Sequence, residues 1–331
     1  MQRLTLATSL IVAGAAVLAL GAGGGSAAPK ASGAAKESLT IYVVGYEQQG
    51  AFWQVEGRGA KQAGKDFGVK VVYAAPPTAS DQGVIQLLSS AIAAKPAGIC
   101  INYTGKVMEA PTLRALNSGA KVVLYNNNRF EAQSGGATTN PKITDLAFVG
   151  QDEHRSGEVL GNAFAKNLKK GDKVLVLNPF PQAFVLTLRY QGVKRALAAH
   201  GITTTLLVVG ADEGRNQQII SSYLQAHSDI DGIVGLGTPA ANPAARAVAS
   251  RGKKMPVATF DIDSGAYDLI KAGRLTMALN QQPFLQAYYC VQNLVFNLRY
   301  GFQPVNVNTG TFIVTKKNLN IVAQLIKAGR G

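Results

Sequence analysis

Short apolar runs alternate with longer amphipathic segments along almost the whole chain. Leu39–Val44, Val69–Tyr73, Ala97–Ile101 and Lys121–Tyr125 have the length and β-branched content of buried strands. Between them, Trp53–Phe67, Ser80–Ala94 and Val107–Ser118 read as helices. In the second of these, Ile85, Leu88 and Ile92 recur at the three- and four-residue spacing of one buried helical face. Strands alternating with helices predict right-handed βαβ units and a parallel sheet.

The alternation restarts after Leu146–Gly150. Lys173–Leu177, Thr203–Val209, Gly232–Gly235 and Pro256–Phe260 read as strands, and Ser156–Leu168, Leu186–His200, Gln217–His227 and Asn242–Ser250 as helices. The first set of strands starts at 40, 69, 97 and 121, intervals of 29, 28 and 24 residues; the second starts at 173, 203, 232 and 256, intervals of 30, 29 and 24. Matching periods predict two similarly built α/β lobes. The stretch Pro256–Pro283 then reads as strand, turn, helix, strand and crossover, with one apolar run ending at Asp261 and the next at Asn280-Gln281-Gln282. A helix over Pro283–Tyr300 and a last strand over Thr311–Thr315 are left over and can return to the first lobe. Several crossings between lobes would make a hinge.

Composition adds a compartment. Met1-Gln2-Arg3, the apolar Leu4–Leu20 and the small-residue stretch Gly21–Ala28 have the layout of a secretory signal, and residues 29–38 read as a flexible linker. The chain carries 33 Lys and Arg against 19 Asp and Glu, a net charge of +14. The basic residues are scattered and not interleaved with aromatics, so a solvated basic surface suited to an acidic partner or membrane is expected, not a nucleic-acid site. Cys100 and Cys290, both in apolar runs, are expected as buried free thiols, although export would permit a disulfide.

Ligands of parallel sheets bind outside the carboxyl ends of the strands. At those ends stand Phe52-Trp53, Asn102, Asn126-Asn127-Asn128, Asp261 and Gln281. Carboxamides donate and accept, carboxylates accept several hydroxyls, and aromatic faces cover the C–H side of a sugar ring, which together suit a polar, uncharged ligand. Gly235-Leu236-Gly237-Thr238-Pro239-Ala240 fits the dinucleotide fingerprint and would suit a nicotinamide enzyme, but Asn242-Pro243 is expected to interrupt the helix that should hold the pyrophosphate. His154, His200 and His227 are far apart, and no metal motif or nucleophile elbow occurs. Neither a cofactor nor a metal is expected, and no catalysis.

Ala51-Phe52-Trp53, Ile101-Asn102, Thr259-Phe260-Asp261, Asn280-Gln281-Gln282-Pro283-Phe284-Leu285-Gln286 and the closing Asn308-Thr309-Gly310 stretch resemble the ribose-binding-protein-like branch of periplasmic sugar-binding proteins, over roughly Leu39 to Asn320. The resemblance implies two Rossmann-like lobes joined by a three-strand hinge. It divides the chain into 39–150 plus 283–309 and 151–282 plus 310–331, after a signal over 1–28 and the linker. It further implies a periplasmic monomer that captures a carbohydrate or polyol and delivers it to the permease of an ABC importer, or presents it to a chemosensor or sensor kinase. Phe52, Trp53, Asn102, Phe260, Asp261 and Gln281 match ligand-binding positions of the family. The chain departs from the ribose binders at Asn126-Asn127, at Thr187 with Arg189 two residues on, at Glu213 and at Thr238, which leaves the sugar open between a pentose, a hexose and a polyol.

Overall fold

The computed structural model describes residues 39–127, 142–144, 147–252 and 254–330. The expected signal, the linker and Asn128 lie outside them. Two six-stranded sheets organise these residues. In the first, β1 (Thr40–Val44), β2 (Lys70–Ala74), β3 (Gly98–Ile101), β4 (Lys121–Asn126), β5 (Phe148–Gly150) and β11 (Val307–Asn308) lie in the order β11-β5-β4-β3-β1-β2, all parallel. In the second, β6 (Lys173–Asn178), β7 (Thr203–Val208), β8 (Gly232–Gly235), β9 (Val257–Phe260), β10 (Met277–Asn280) and β12 (Phe312–Thr315) lie in the order β12-β10-β9-β8-β6-β7. There β12 alone runs antiparallel, against β10. The equal strand intervals of the sequence are thus the two copies of one winding order.

Both sheets are apolar on both faces because helices cover both. On one face of the first sheet lie α1 (Ala51–Phe67) and α9 (Pro283–Tyr300), with Ala60, Ala63, Ala287 and Val291 in the core; on the other lie α2 (Asp81–Ala93) and α3 (Glu109–Asn117). The second sheet is covered by α4 (Glu153–Ala165) and α5 (Phe184–Ala199) on one face, and on the other by α6 (Glu213–Ala226), α7 (Thr238–Ser250), α8 (Ser264–Lys271) and α10 (Leu319–Lys327). Helices α1 and α9 approach so closely that a Cβ on Gly59 would lie 2.1 Å from the Phe284 carbonyl oxygen. Only glycine fits there. Residues 38–331 form one compact unit that contains both sheets and all four of these apolar clusters, and so has what it needs to fold on its own.

Two expectations are corrected. Cys100 and Cys290 are joined in a fully buried disulfide, because Cys100 on β3 faces α9 at the level of Cys290. And α7 is not interrupted: Pro243 lies inside it, and the Pro239 carbonyl, which would otherwise accept from residue 243, takes a 2.9 Å hydrogen bond from Asn216 Nδ2. A side chain from the neighbouring helix replaces the missing N–H.

The chain passes between the sheets three times, between β5 and α4, β10 and α9, and β11 and β12. These crossings are tied to one another. Gln282 Nε2 donates to the Thr309 carbonyl at 2.8 Å, Ser156 Oγ to the Gly310 carbonyl at 2.5 Å, and a Cβ on Gly310 would lie 2.2 Å from Gln151 Cγ.

The disulfide closes a loop of 190 residues. Chain entropy then assigns it roughly 5 kcal/mol of stability, so the Cys100→Ala/Cys290→Ala protein should unfold at clearly lower denaturant than the oxidised wild type. Equal midpoints would show that the bond adds nothing. A second prediction concerns Glu56 on α1, which is wholly buried near Tyr73 and Tyr125, its carboxylate lacking a well-directed hydrogen bond. Burial raises its pKa well above the usual carboxylate range, the facing Tyr125 hydroxyl lowering it only in part. Below about pH 4.3 native and unfolded chains both hold the proton; as pH rises from there, the unfolded chain releases it first and stability falls. The melting temperature of Glu56→Gln should therefore gain on that of the wild type from pH 4 to pH 8. A constant difference would rule out this titration.

Candidate functional site

A buried polar chain runs from one sheet to the other. Asn126, the last residue of β4, donates through Nδ2 to Gln286 Oε1 at 2.9 Å. Gln286, fully buried on α9, donates through Nε2 to Gln281 Oε1 and to Thr309 Oγ1, both at 3.1 Å. Gln281 Nε2 donates to Asp261 Oδ1 at 2.6 Å. Arg189 Nη1 donates to Asp261 Oδ2 at 3.3 Å and to the Leu236 carbonyl at 3.1 Å, while its Nε and Nη2 grip Glu153 Oε2 and Oε1 at 2.6 and 3.2 Å. Gln151 Nε2 completes the chain on Glu153. Each carboxamide has one donor and one acceptor end, so the sequence of bonds is directional, and each of the three crossings contributes a member through Gln151, Gln281 or Thr309.

The charges in it follow from burial. Burial opposes the Arg189 charge, but Glu153 and Asp261 outweigh this and hold its pKa above the ordinary value. Burial raises the Glu153 pKa, against the downward pull of Arg189. Asp261 is the member that keeps access to solvent, with 30% of its side chain exposed. It follows β9 directly, and its φ of +66° is in the left-handed region. That turn breaks strand alternation and swings the carboxylate out of the sheet.

On the first sheet's carboxyl edge, Asn102 follows β3 and accepts through Oδ1 from Asn127 Nδ2 at 2.9 Å, while its own buried Nδ2 has no partner among the described residues. Phe52 and Trp53, both half-buried in the first turn of α1, make an edge-to-face pair at 4.9 Å, and Tyr46 lies 5.7 Å from Trp53. Thr187 is half-buried on α5, and Thr238 opens α7 almost fully buried.

Two expected residues stand elsewhere. Phe260 does not line the cleft: the strand's alternation points its ring into the core beside Leu236 and Leu279, fully buried, with the Arg189 guanidinium 4.9 Å above it. It is a platform for Arg189. Glu213 opens α6 and is paired with Arg246 and with Asn242, which also donates to Asp263, a separate polar cluster at the helix starts of the second lobe. Glu153, Gln286 and Phe180 are absent from the residues picked by sequence. Glu153 was hidden in an acid-rich loop, while Gln286 lies one helical turn past the Gln281-Gln282 pair. Phe180, 40% exposed, follows β6 on the same edge as Asp261, with its backbone N–H held by Asn178 Oδ1 at 2.9 Å. The signal for it was an aromatic between two prolines just after a strand.

Residues 41–301 match the periplasmic binding protein domain family. The chain belongs to this family. Among its relatives is the xylose/arabinose-binding protein of Sulfolobus acidocaldarius, 24% identical over 253 residues, which are 73% of this chain and 62% of that protein. The match thus spans less than two thirds of that relative's length. Of the solved structures similar to this periplasmic binding protein, the ABC sugar transporter's periplasmic sugar-binding protein from Legionella pneumophila is 28% identical with a TM-score of 0.72, covering 82% of this chain and 99% of that one. The carbohydrate transporter from Acidothermus cellulolyticus, solved with myo-inositol, is 27% identical with a TM-score of 0.75, covering 89% and 100%. The names of these relatives speak of sugar binding and carbohydrate transport.

Removing Arg189 leaves Glu153 buried without its counter-charge. Arg189→Met should cost about 3–5 kcal/mol in denaturant unfolding, and adding Glu153→Gln should restore part of that loss. Full additivity of the two substitutions would mean that the pair is not coupled.

Proposed function

We propose that this periplasmic binding protein is an exported receptor that closes its two lobes around a neutral sugar or polyol and hands it, unaltered and as a monomer, to the permease of an ABC importer. The observation that carries this reading is the hydrogen-bonded chain that surfaces at Asp261, a carboxylate held from behind by Arg189 and Gln281 with its remaining acceptor capacity toward solvent. Two carboxylates already share one guanidinium there, so an anionic ligand would add repulsion, whereas a hydroxyl adds none. Across from it, the unpaired amide of Asn102 needs an acceptor, and leaving such a group unpaired costs about 1–3 kcal/mol. Sugar hydroxyls both donate and accept, and so meet both demands. Phe52 and Trp53 supply one aromatic face, and Phe180 supplies an aromatic from the second lobe.

The same reading gives the compartment. Residues 1–28 would direct export and be removed, and a buried disulfide suits an oxidising space. The names of the relatives, a xylose/arabinose binder and a structure with myo-inositol, support pentoses and cyclitols as the first ligands to try.

A thermal-shift screen over pentoses, hexoses and polyols tests this directly, since a ligand at 100 times its dissociation constant stabilises by about 2.7 kcal/mol. At least one neutral sugar should shift the melting point and shrink the radius of gyration in small-angle scattering. Asp261→Ala should then weaken that ligand at least tenfold, from the loss of charge-assisted hydrogen bonds of about 1.5–3 kcal/mol each. Stabilisation by anions alone, or recovery of a chemically altered sugar, would defeat the proposal.

A further inference from the structure

We propose that the far end of the first lobe is a membrane-facing surface that rests on an anionic phospholipid bilayer, with the cleft turned away from it. Helix α9 shows which end this is. Its Gln286 meets Asn126 at the end of β4, its Cys290 is bonded to Cys100 within β3, and its Leu294 packs on Gly98 at the start of β3. The helix therefore runs from the cleft toward the strand starts, and Tyr300 and Phe302 lie beyond them.

At that end Phe67, Phe296, Tyr300 and Phe302 form one aromatic cluster, with ring centroids 5.6 Å apart for Phe67 and Phe296, 6.1 Å for Phe296 and Tyr300, and 6.0 Å for Tyr300 and Phe302. Arg299 fastens it by donating to the Phe67 and Gly68 carbonyls at 2.6 and 3.0 Å. Yet Tyr300, Phe302 and Val305 are 60%, 61% and 61% exposed. Burying these side chains would be favourable, and nothing in the fold does it.

The surrounding charge is mainly positive. Lys65 in the last turn of α1, Lys70 at the start of β2, Lys95 before β3 and Lys121 at the start of β4 are exposed, and none has an ion-pair partner among the described residues. The nearby carboxylate, Asp66, is occupied by Gln62 and Tyr288. The strand starts lie side by side, Thr40 paired with Lys70 and Gly98 with Lys121, so the lysines rim one edge of the sheet.

The chemistry of this surface selects the occupant. Tyr and Phe rings ringed by unpaired lysines are the composition of a bilayer interface, the rings seated at headgroup level and each lysine attracted by anionic lipid. An acidic protein would meet the lysines but would not need the aromatic cluster. A receptor resting this way presents its open cleft to incoming solute.

The test uses the chain from Pro29 onward, which contains the whole compact unit, in sedimentation with phosphatidylglycerol or phosphatidylcholine vesicles. Binding is expected to phosphatidylglycerol and to fall with added salt. Tyr300→Ser/Phe302→Ser and Lys65→Glu/Lys70→Glu should each lower it at least tenfold, while Lys166→Glu/Lys169→Glu on the second lobe should leave it within twofold. Unchanged melting points would show that all variants are folded, and their unchanged response to a sugar would separate this surface from the cleft. Absence of wild-type binding would overturn the proposal, as would equal loss in the second-lobe variant, which would mean unspecific charge. So would a patch whose substitution abolishes self-association in light scattering and leaves vesicle binding intact.

Discussion

A guanidinium buried between two carboxylates sets the arrangement of the cleft. Arg189 cannot shed its proton, so its burial requires counter-charges, and Glu153 and Asp261 are both within reach. Glu153 belongs to the start of α4, just past the first crossing, and Asp261 to the end of β9; holding both at once fixes the crossing against the second sheet. The Phe260 ring beneath the guanidinium keeps water off its other face. Asp261 is then presented to the cleft already oriented, which lowers the cost of ordering on binding.

The strain in the backbone is concentrated where this orientation is needed. Among the described residues four non-glycine positions have positive φ, and three of them are Asn126, Asp261 and Gln282. Two end strands at the cleft edge and the third is in a crossing. Such residues persist only where neighbours over-determine them, and here the neighbours are the carboxamides of the polar chain. The three crossings are bonded to one another as well as to both sheets, so they form one connected unit, not three independent linkers. Closure would leave these bonds intact and change the environment of the groups at the edges, Asp261, Asn102 and the aromatics.

Much of this was legible in the sequence because the strands are buried on both faces and end abruptly on polar residues. The repeated strand intervals revealed two copies of one winding, and Asp261 and Gln281 were visible as the residues after apolar runs. Helix starts were less legible. Helices α4, α6 and α7 begin three or four residues before the expected positions, since a first turn such as Glu213–Asn216 is polar and carries no apolar period. The capping aspartates Asp152 and Asp212, which accept from the Arg155 and Arg215 N–H groups, were the available signal. The disulfide could not be read, because its partners are 190 residues apart and meet only once α9 lies on β3. Phe260 misled for the opposite reason. Its neighbour Asp261 reaches the cleft through the left-handed turn that follows the strand, whereas Phe260 is the last residue within β9 and keeps the strand's core-facing side.

The high positive charge also becomes intelligible through the winding. In a parallel α/β lobe every helix that follows a strand starts at the carboxyl edge of the sheet and ends at the opposite edge. Acidic residues favour helix starts and basic residues helix ends, and Asp81, Glu109, Glu153 and Glu213 sit in first turns while Lys65, Arg114, Lys271 and Arg299 sit in last turns. In these helices charge is sorted along the axis, carboxylates toward the cleft in α2, α3, α4 and α6 and cations toward the far end in α1, α3, α8 and α9. The cleft can then hold Asp261 and Glu153 around one arginine without collecting further cations, and it disfavours anions. On the first lobe Lys65 and Arg299 in last turns add to the lysines at the strand starts, away from the cleft, where they can attract a surface without disturbing the site.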